Sequence, residues 1–126
     1  GVAVNKVLDE AKVDRGDVDL IEVHDATSIM AAISLESSGF AEPGESGRLA
    51  MRGEFDLGGR LPYNTFGGLK ARGNPFGATG VYQVVELHLQ LTGRAGKNQV
   101  DSPRVGMAQS LGGVGATAIV TLLKAV

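Results

Sequence analysis

Eleven of the 19 glycines in this 126-residue chain fall between Gly39 and Gly80, and that concentration is the strongest constraint on the fold. Glycine gives up more backbone freedom on ordering than any other residue, so such a stretch does not sustain long helices or strands. The regular elements must therefore lie on either side of it. Residues 39–76 carry Gly, Pro, Glu and Arg with no lasting period, which is the pattern of a long structured loop. Phe40, Leu49, Met51, Phe55, Leu57, Leu61 and Phe66 give that loop apolar anchors. A connection of this length and apolar content is expected to be ordered and functional, and residues 39–66 are read here as an interaction surface, with a self-packed loop covering its own domain as the competing reading.

The flanks are periodic. Val2, Val4, Val7, Leu8 and Ala11 predict a helix over 2–12, ended by the turn formers at 14–17. Leu20-Ile21-Glu22-Val23 is short and rich in β-branched residues, and reads as a buried strand stopping at His24. A helix follows, capped by Asp25 or Thr27, with Ile29, Met30 and Ile33 as its apolar face and Gly39 closing it. Beyond the loop, Val81, Val84, Val85, His88 and Leu91 recur at helical spacing over 77–91, directly after Asn74-Pro75. Two strands are expected at 105–108 and 116–123, joined by a compact reversal over 111–115. The order helix, strand, helix, loop, helix, strand, strand predicts one α/β domain over residues 1–126.

With 43% hydrophobic residues the chain can bury a real core. A net charge of −2 and scattered Lys and Arg give no electrostatic case for nucleic acid or an anionic membrane. No apolar run approaches the roughly 18 to 20 residues needed to span a bilayer, and a soluble cytoplasmic protein is expected. The chain has no cysteine, which excludes a disulfide framework, a cysteine-based zinc site and a thiolate nucleophile within it. No metal cluster is visible.

Two positions could carry chemistry. His24 stands where a buried strand gives way to a helix, the place where open α/β sheets bind ligands, and it could act as a general base or an oxyanion donor, with a structural or surface histidine as the competing reading. His88, on the apolar stripe of the second long helix, reads as core or interface packing and is given no catalytic role. The segment GGLKARGNPFGATG at 67–80 sets an amide side chain, Asn74, beside a proline-fixed turn that feeds a helix N-terminus. An ordinary tight loop with a helix cap is the competing reading. The glycine pattern is not a Walker loop, because no Gly-Lys-Ser/Thr follows Lys70, and it does not follow a strand as a dinucleotide fingerprint would.

Three ordered motifs, Val-Asp-Leu-Ile-Glu-Val-His-Asp-Ala at 18–26, GGLKARGNPFGATG at 67–80 and Gln-Ser-Leu-Gly-Gly-Val-Gly at 109–115, together resemble the C-terminal domain of thiolases. The nearest branch is that of the archaeal and sterol-carrier-protein-type thiolases, many of them called lipid-transfer proteins. The resemblance implies a mixed five-stranded sheet with helices on both faces. It also implies pairing with a similar N-terminal half, which would carry the nucleophilic cysteine.

What the resemblance implies for the site depends on where this chain departs from the pattern. Thiolases usually carry histidine before the proline of the glycine-rich motif; here the residue is Asn74. The positions of the second thiolase cysteine and of its sterol-carrier-type alternative match Ser110 and Ala26. Ketoacyl synthase III and its relatives combine a cysteine with a histidine matching His24 and an asparagine matching Asn74. On that pattern His24 is the basic or electrophilic group, and Asn74 donates an N–H to a developing oxyanion, a contribution of about 3 to 4 kcal/mol. Gly77, Ala78 and Gly113 are implied at the substrate pocket. His24 and Asn74 are expected to converge. The activity implied is Claisen condensation of acyl-CoA units or thiolysis of a 3-oxoacyl-CoA, in fatty acid metabolism. Coenzyme A thioester is then the substrate, and no cofactor is permanently bound. The alternatives are a thiolase-like CoA-dependent aldolase using Tyr63 or Tyr82 as acid/base, and a non-catalytic structural subunit. A homo-oligomeric full enzyme and a small OB-fold and zinc-ribbon partner that binds acyl-CoA are also implied.

Overall fold

The computed structural model describes residues 1–113 and 115–126. The helices are α1 (Val2–Ala11), α2 (Ser28–Ser37), α3 (Ser46–Met51), α4 (Gly68–Arg72) and α5 (Thr79–Leu91), and the strands are β1 (Leu20–Glu22), β2 (Val105–Gly112) and β3 (Thr117–Lys124). The expected reversal over 111–115 contains Val114, which lies outside the described residues.

The sheet has the order β1-β2-β3, with β1 parallel to β2 and β3 antiparallel to β2. Side chains of a strand alternate between faces, and the two faces here carry different layers. Ile21, Val23 and Met107 pack with Val4 and Leu8 of α1 and Ala31 and Leu35 of α2. Leu20 and Ala108 face the other way and pack with Leu87 of α5 and with Val100. Helix α5 lies close enough to the sheet that a Cβ at Gly106 would sit 2.9 Å from the Leu87 side chain.

The described residues form three strands, not the five expected. A fourth is reduced to one bridge, Ile21 to Tyr63, in which the Ile21 N–H donates to the Pro62 carbonyl and the Asn64 N–H donates to the Ile21 carbonyl, each at 3.0 Å. It extends no further because Asn64 adopts a positive φ of 45° and turns the chain. The Asn64 side chain then replaces the missing strand. Its Oδ1 accepts from the Val23 N–H at 2.8 Å and its Nδ2 donates to the Val23 carbonyl at 3.2 Å.

The glycine-rich middle contains α3 and α4, and its anchors Phe40, Phe55 and Leu61 are buried in the domain's own core. Of the residues expected to make an interaction surface there, Met51 is the one fully presented to solvent, at 84% exposure. Self-packing is thus the main role of these anchors. Two helices also turn a face opposite to the one their apolar period suggests. On α2, Ile29 and Ile33 are exposed, while Ala31, Ser34 and Leu35 are buried. On α5 the buried set is Thr79, Gln83, Glu86, Leu87 and Gln90, whereas Val81, Tyr82 and Val85 face outward. His88, expected in core or interface packing, is outside the core and exposed beside Arg94. Gln90 is tolerated inside because both ends of its amide are used: Nε2 donates to Thr65 Oγ1 and the Asn98 carbonyl, and Oε1 accepts from the Val100 N–H.

Candidate functional site

Strand β1 ends opposite Ala108 while β2 runs on to Gly112, and a cleft of about 710 Å³ opens beyond the end of β1, against the start of α5. His24, Asn74, Gly77, Gln83, Ser110 and Gly113 are among the residues that line it. Each reaches the cleft for a local reason.

His24 follows β1 on the α5 side of the sheet. Its backbone neighbours are pinned on both sides, since Asn64 holds Val23 and the Asp25 carboxylate accepts from the Leu69 N–H at 2.8 Å, at the first turn of α4. Gly68 makes that arrangement possible: a Cβ there would lie 2.5 Å from Asn64 Nδ2 and from both Asp25 oxygens. His24 is 7% exposed and its Nδ1 is buried with no partner among the described residues. Burial lowers the imidazole's proton affinity below its ordinary value, and the nearby Asp25 charge opposes this in part. A neutral imidazole at pH 7 follows, the form able to accept a proton.

Asn74 arrives by a different route. Helix α4 ends at Arg72, Gly73 turns the chain with φ 87°, and Asn74 lies exposed before Pro75. Its Oδ1 accepts from the Phe76 N–H at 3.2 Å, closing a small turn that fixes the amide plane, while Phe76 takes a positive φ of 49°. The Nδ2 donor is left without a partner among the described residues. A side chain at Gly77 would meet nothing within 4 Å of its Cβ, so this wall of the cleft is open space.

The cleft brings together His24, Asn74, Gly77 and Gly113, and Ser110 joins them. Ala78 is not among its lining residues. Neither Tyr63 nor Tyr82 lines it: Tyr63 packs edge-on against Phe55 and borders a separate depression with Asp25 and Lys70, and Tyr82 lies under the Arg72 guanidinium on α5. Sequence reasoning missed Gln83. This fully buried side chain donates to the Gln109 carbonyl at 3.0 Å and lines the cleft with its Oε1 unpartnered among the described residues. Its signal was a polar residue one turn into a helix otherwise read from its valines. Asp25, Asn64 and Gly68, which build the site without lining the cleft, were also missed as a group.

The family model for the thiolase C-terminal domain-like family matches residues 1–125. The chain belongs to that family. Its similarity to curated proteins runs the same way. It is 47% identical over 122 residues to the acetyl-CoA acetyltransferase of Methanothermobacter thermautotrophicus, a match covering 97% of this chain and 32% of that protein. It is 39% identical over 122 residues to sterol carrier protein 2 of Rattus norvegicus, covering 97% of this chain and 22% of the relative. Among solved structures, the Ltp2-ChsH2(DUF35) aldolase superposes with a TM-score of 0.84 at 23% identity, over 98% of this chain and 31% of that one, which speaks to the fold alone. This thiolase C-terminal domain thus spans about a third or less of the proteins it matches. No described helix is long and apolar enough to cross a membrane.

Proposed function

We propose that this domain supplies half of an acyl-CoA carbon–carbon bond site, serving Claisen condensation or, in reverse, thiolysis of a 3-oxoacyl-CoA. The observation that carries the reading is the shared cleft of His24 and Asn74, one with a neutral imidazole and the other with an unused amide N–H. A cysteine on the N-terminal half holds an acyl group as a thioester. His24 takes a proton from the α-carbon of a second acyl-CoA, and the enolate oxygen that develops is met by the Asn74 Nδ2–H. The α-carbon attacks the acyl-cysteine carbonyl, a carbon–carbon bond forms, and the cysteine leaves as thiolate. Gly77 and Gly113 leave room for the substrate along the cleft wall. The aldolase alternative asks a tyrosine to handle the proton, and both candidate tyrosines lie away from the cleft.

The outward face of α5 supports a partner half. Val81, Tyr82 and Val85, with Phe76 at 82% exposure, form an apolar border beside the cleft, the kind of surface that marks an interaction site. The reading extends to a homo-oligomeric full enzyme and to a small OB-fold and zinc-ribbon partner presenting acyl-CoA.

Two expected results test this. The isolated chain should show no thiolysis of acetoacetyl-CoA and should bind coenzyme A weakly, and joining it to its N-terminal half should restore turnover. Thiolysis by the pure chain alone would overturn the reading. In the whole enzyme, turnover should fall as pH drops through the lowered His24 pKa, below about 6.5, because the protonated imidazole no longer accepts a proton. His24→Gln should remove that acid limb along with most of the rate. A rate profile that keeps the same acid limb in His24→Gln would assign it to another group.

A further inference from the structure

Between β1, α4 and α5 lies a cluster of charged side chains that the proposed chemistry does not use. Glu22 is fully buried, and neither carboxylate oxygen has a hydrogen-bond partner among the described residues. Glu86 on α5 is also buried, and its Oε1 accepts from Arg72 Nη1 at 2.7 Å, while its Oε2 is unpartnered among the described residues. The Arg72 guanidinium is largely enclosed, 5.3 Å from the centre of the Tyr82 ring. The groups facing Glu22 can be named from each element around it. They are Glu86 from α5, Arg72 from α4 and the Thr65 backbone N–H from the preceding connection; β2 offers only Ala108 beside it.

Two carboxyl groups and one guanidinium largely withdrawn from water, the latter with Nε and Nη2 unpartnered among the described residues, leave one negative charge too many, and removing an unpaired carboxylate from water is costly. A single proton on Glu22, directed at the Glu86 carboxylate, balances the charge and supplies a hydrogen-bond donor where one is missing. Burial first, then the Glu86 carboxylate, push Glu22 well above the ordinary carboxyl range; Arg72 and the Thr65 amide pull against this less strongly.

Position along the chain gives the cluster its use. Glu22 is the last residue of β1 and precedes His24 by two residues, and Arg72 precedes Asn74 by two residues at the end of α4. Resting on the reading that His24 and Asn74 act together, we propose that Glu22, Glu86 and Arg72 form a buried strut that fixes the loop carrying Asn74 against the end of β1, which His24 follows. These three are positioning residues. They touch no reacting atom and set the spacing of the two that do.

The strut makes separable predictions for the whole enzyme. Glu22→Gln keeps the size and the donor, so turnover at neutral pH should stay near the parent's. Glu22→Ala loosens the loop, and kcat should fall by up to about 100-fold with KM little changed, as small misplacements of catalytic groups do. Equal losses in the two variants would overturn the strut. A second readout needs no activity. Because the folded-state pKa of Glu22 is raised, the native protein binds a proton that the unfolded chain has already released, so stability falls as pH rises from the ordinary carboxyl range towards the raised value. Thermal melting from about pH 5 to pH 8 should show that decline in the parent and a flatter profile in Glu22→Gln. Parallel profiles would overturn the protonated strut even in an active enzyme. A flattened profile in an enzyme without thiolase activity would keep the strut and remove only the assigned reaction.

Discussion

Asn74→Asp in the complete enzyme should lower turnover by about 100- to 1,000-fold, the usual loss when an oxyanion donor is removed. The geometry makes this substitution a clean test. The bond that Asn74 makes within the chain uses its Oδ1, which accepts from the Phe76 N–H, and an aspartate oxygen can accept the same bond. The turn before Pro75 should survive, and the folded protein should melt near the parent's temperature. What disappears is Nδ2–H, and what arrives is a negative charge where the reaction develops another. Asn74→His, which restores the residue usual in thiolases, should keep partial activity because an imidazole N–H can reach a similar point. If Asn74 served only the turn, aspartate would be accepted without loss. Full turnover with unchanged substrate affinity in Asn74→Asp would end its assignment to the chemistry and favour a structural subunit.

Gly68→Ala should damage the fold itself. The added methyl would meet Asn64 Nδ2 and both Asp25 oxygens at 2.5 Å, on a residue whose φ is 60°. Overpacking and a left-handed backbone with a side chain together cost on the order of 3 kcal/mol. In a domain of this size that lowers the thermal midpoint by roughly 10 °C. The loss reaches further than one contact, because Asn64 holds Val23 and Asp25 holds the first turn of α4. Gly77→Ala is the control: it has open space around it and no positive φ, and should leave stability alone. A Gly68→Ala protein that melts with the parent would show that the Asn64 and Asp25 side chains move aside at no cost.

The line of the fold was legible where one face of an element meets the core. The burial of 20–23, the start of α2 at Thr27, whose hydroxyl accepts from the Met30 N–H, and the two C-terminal strands all follow from short-range pattern and caps. The orientation of α5 was not legible. Its valines have the helical period, but they face outward, while Gln83, Glu86 and Gln90 enter the core because partners from distant parts of the chain await them. Periodicity reports which residues share a face and is silent on which face is covered. The strand count failed for a related reason. Residues 61–65 could have made a strand, and a turn at Asn64 whose own amide pairs with Val23 ended it after one bridge. At the cleft, the motifs pointed to His24, Asn74, Gly77 and Gly113, whereas Asp25, Asn64 and Glu22 show their part only when contacts over some 40 residues are seen.

The parallel pairing of β1 with β2 has a consequence for biosynthesis. Asp19, at the entrance of β1, binds the backbone of Arg104 and Val105 at the start of β2, the latter 86 residues away along the chain. Until a ribosome has made that last segment, β1 has no neighbour in the sheet other than the single bridge at Tyr63, and the wall of the cleft formed by β2 does not exist. Closing so long a span before its contacts repay the ordering is slow, and chains of this topology expose unpaired strand edges while they wait. The hairpin of β2 and β3 therefore acts as a clasp. A nascent chain halted before it would display an unfinished sheet without the cleft.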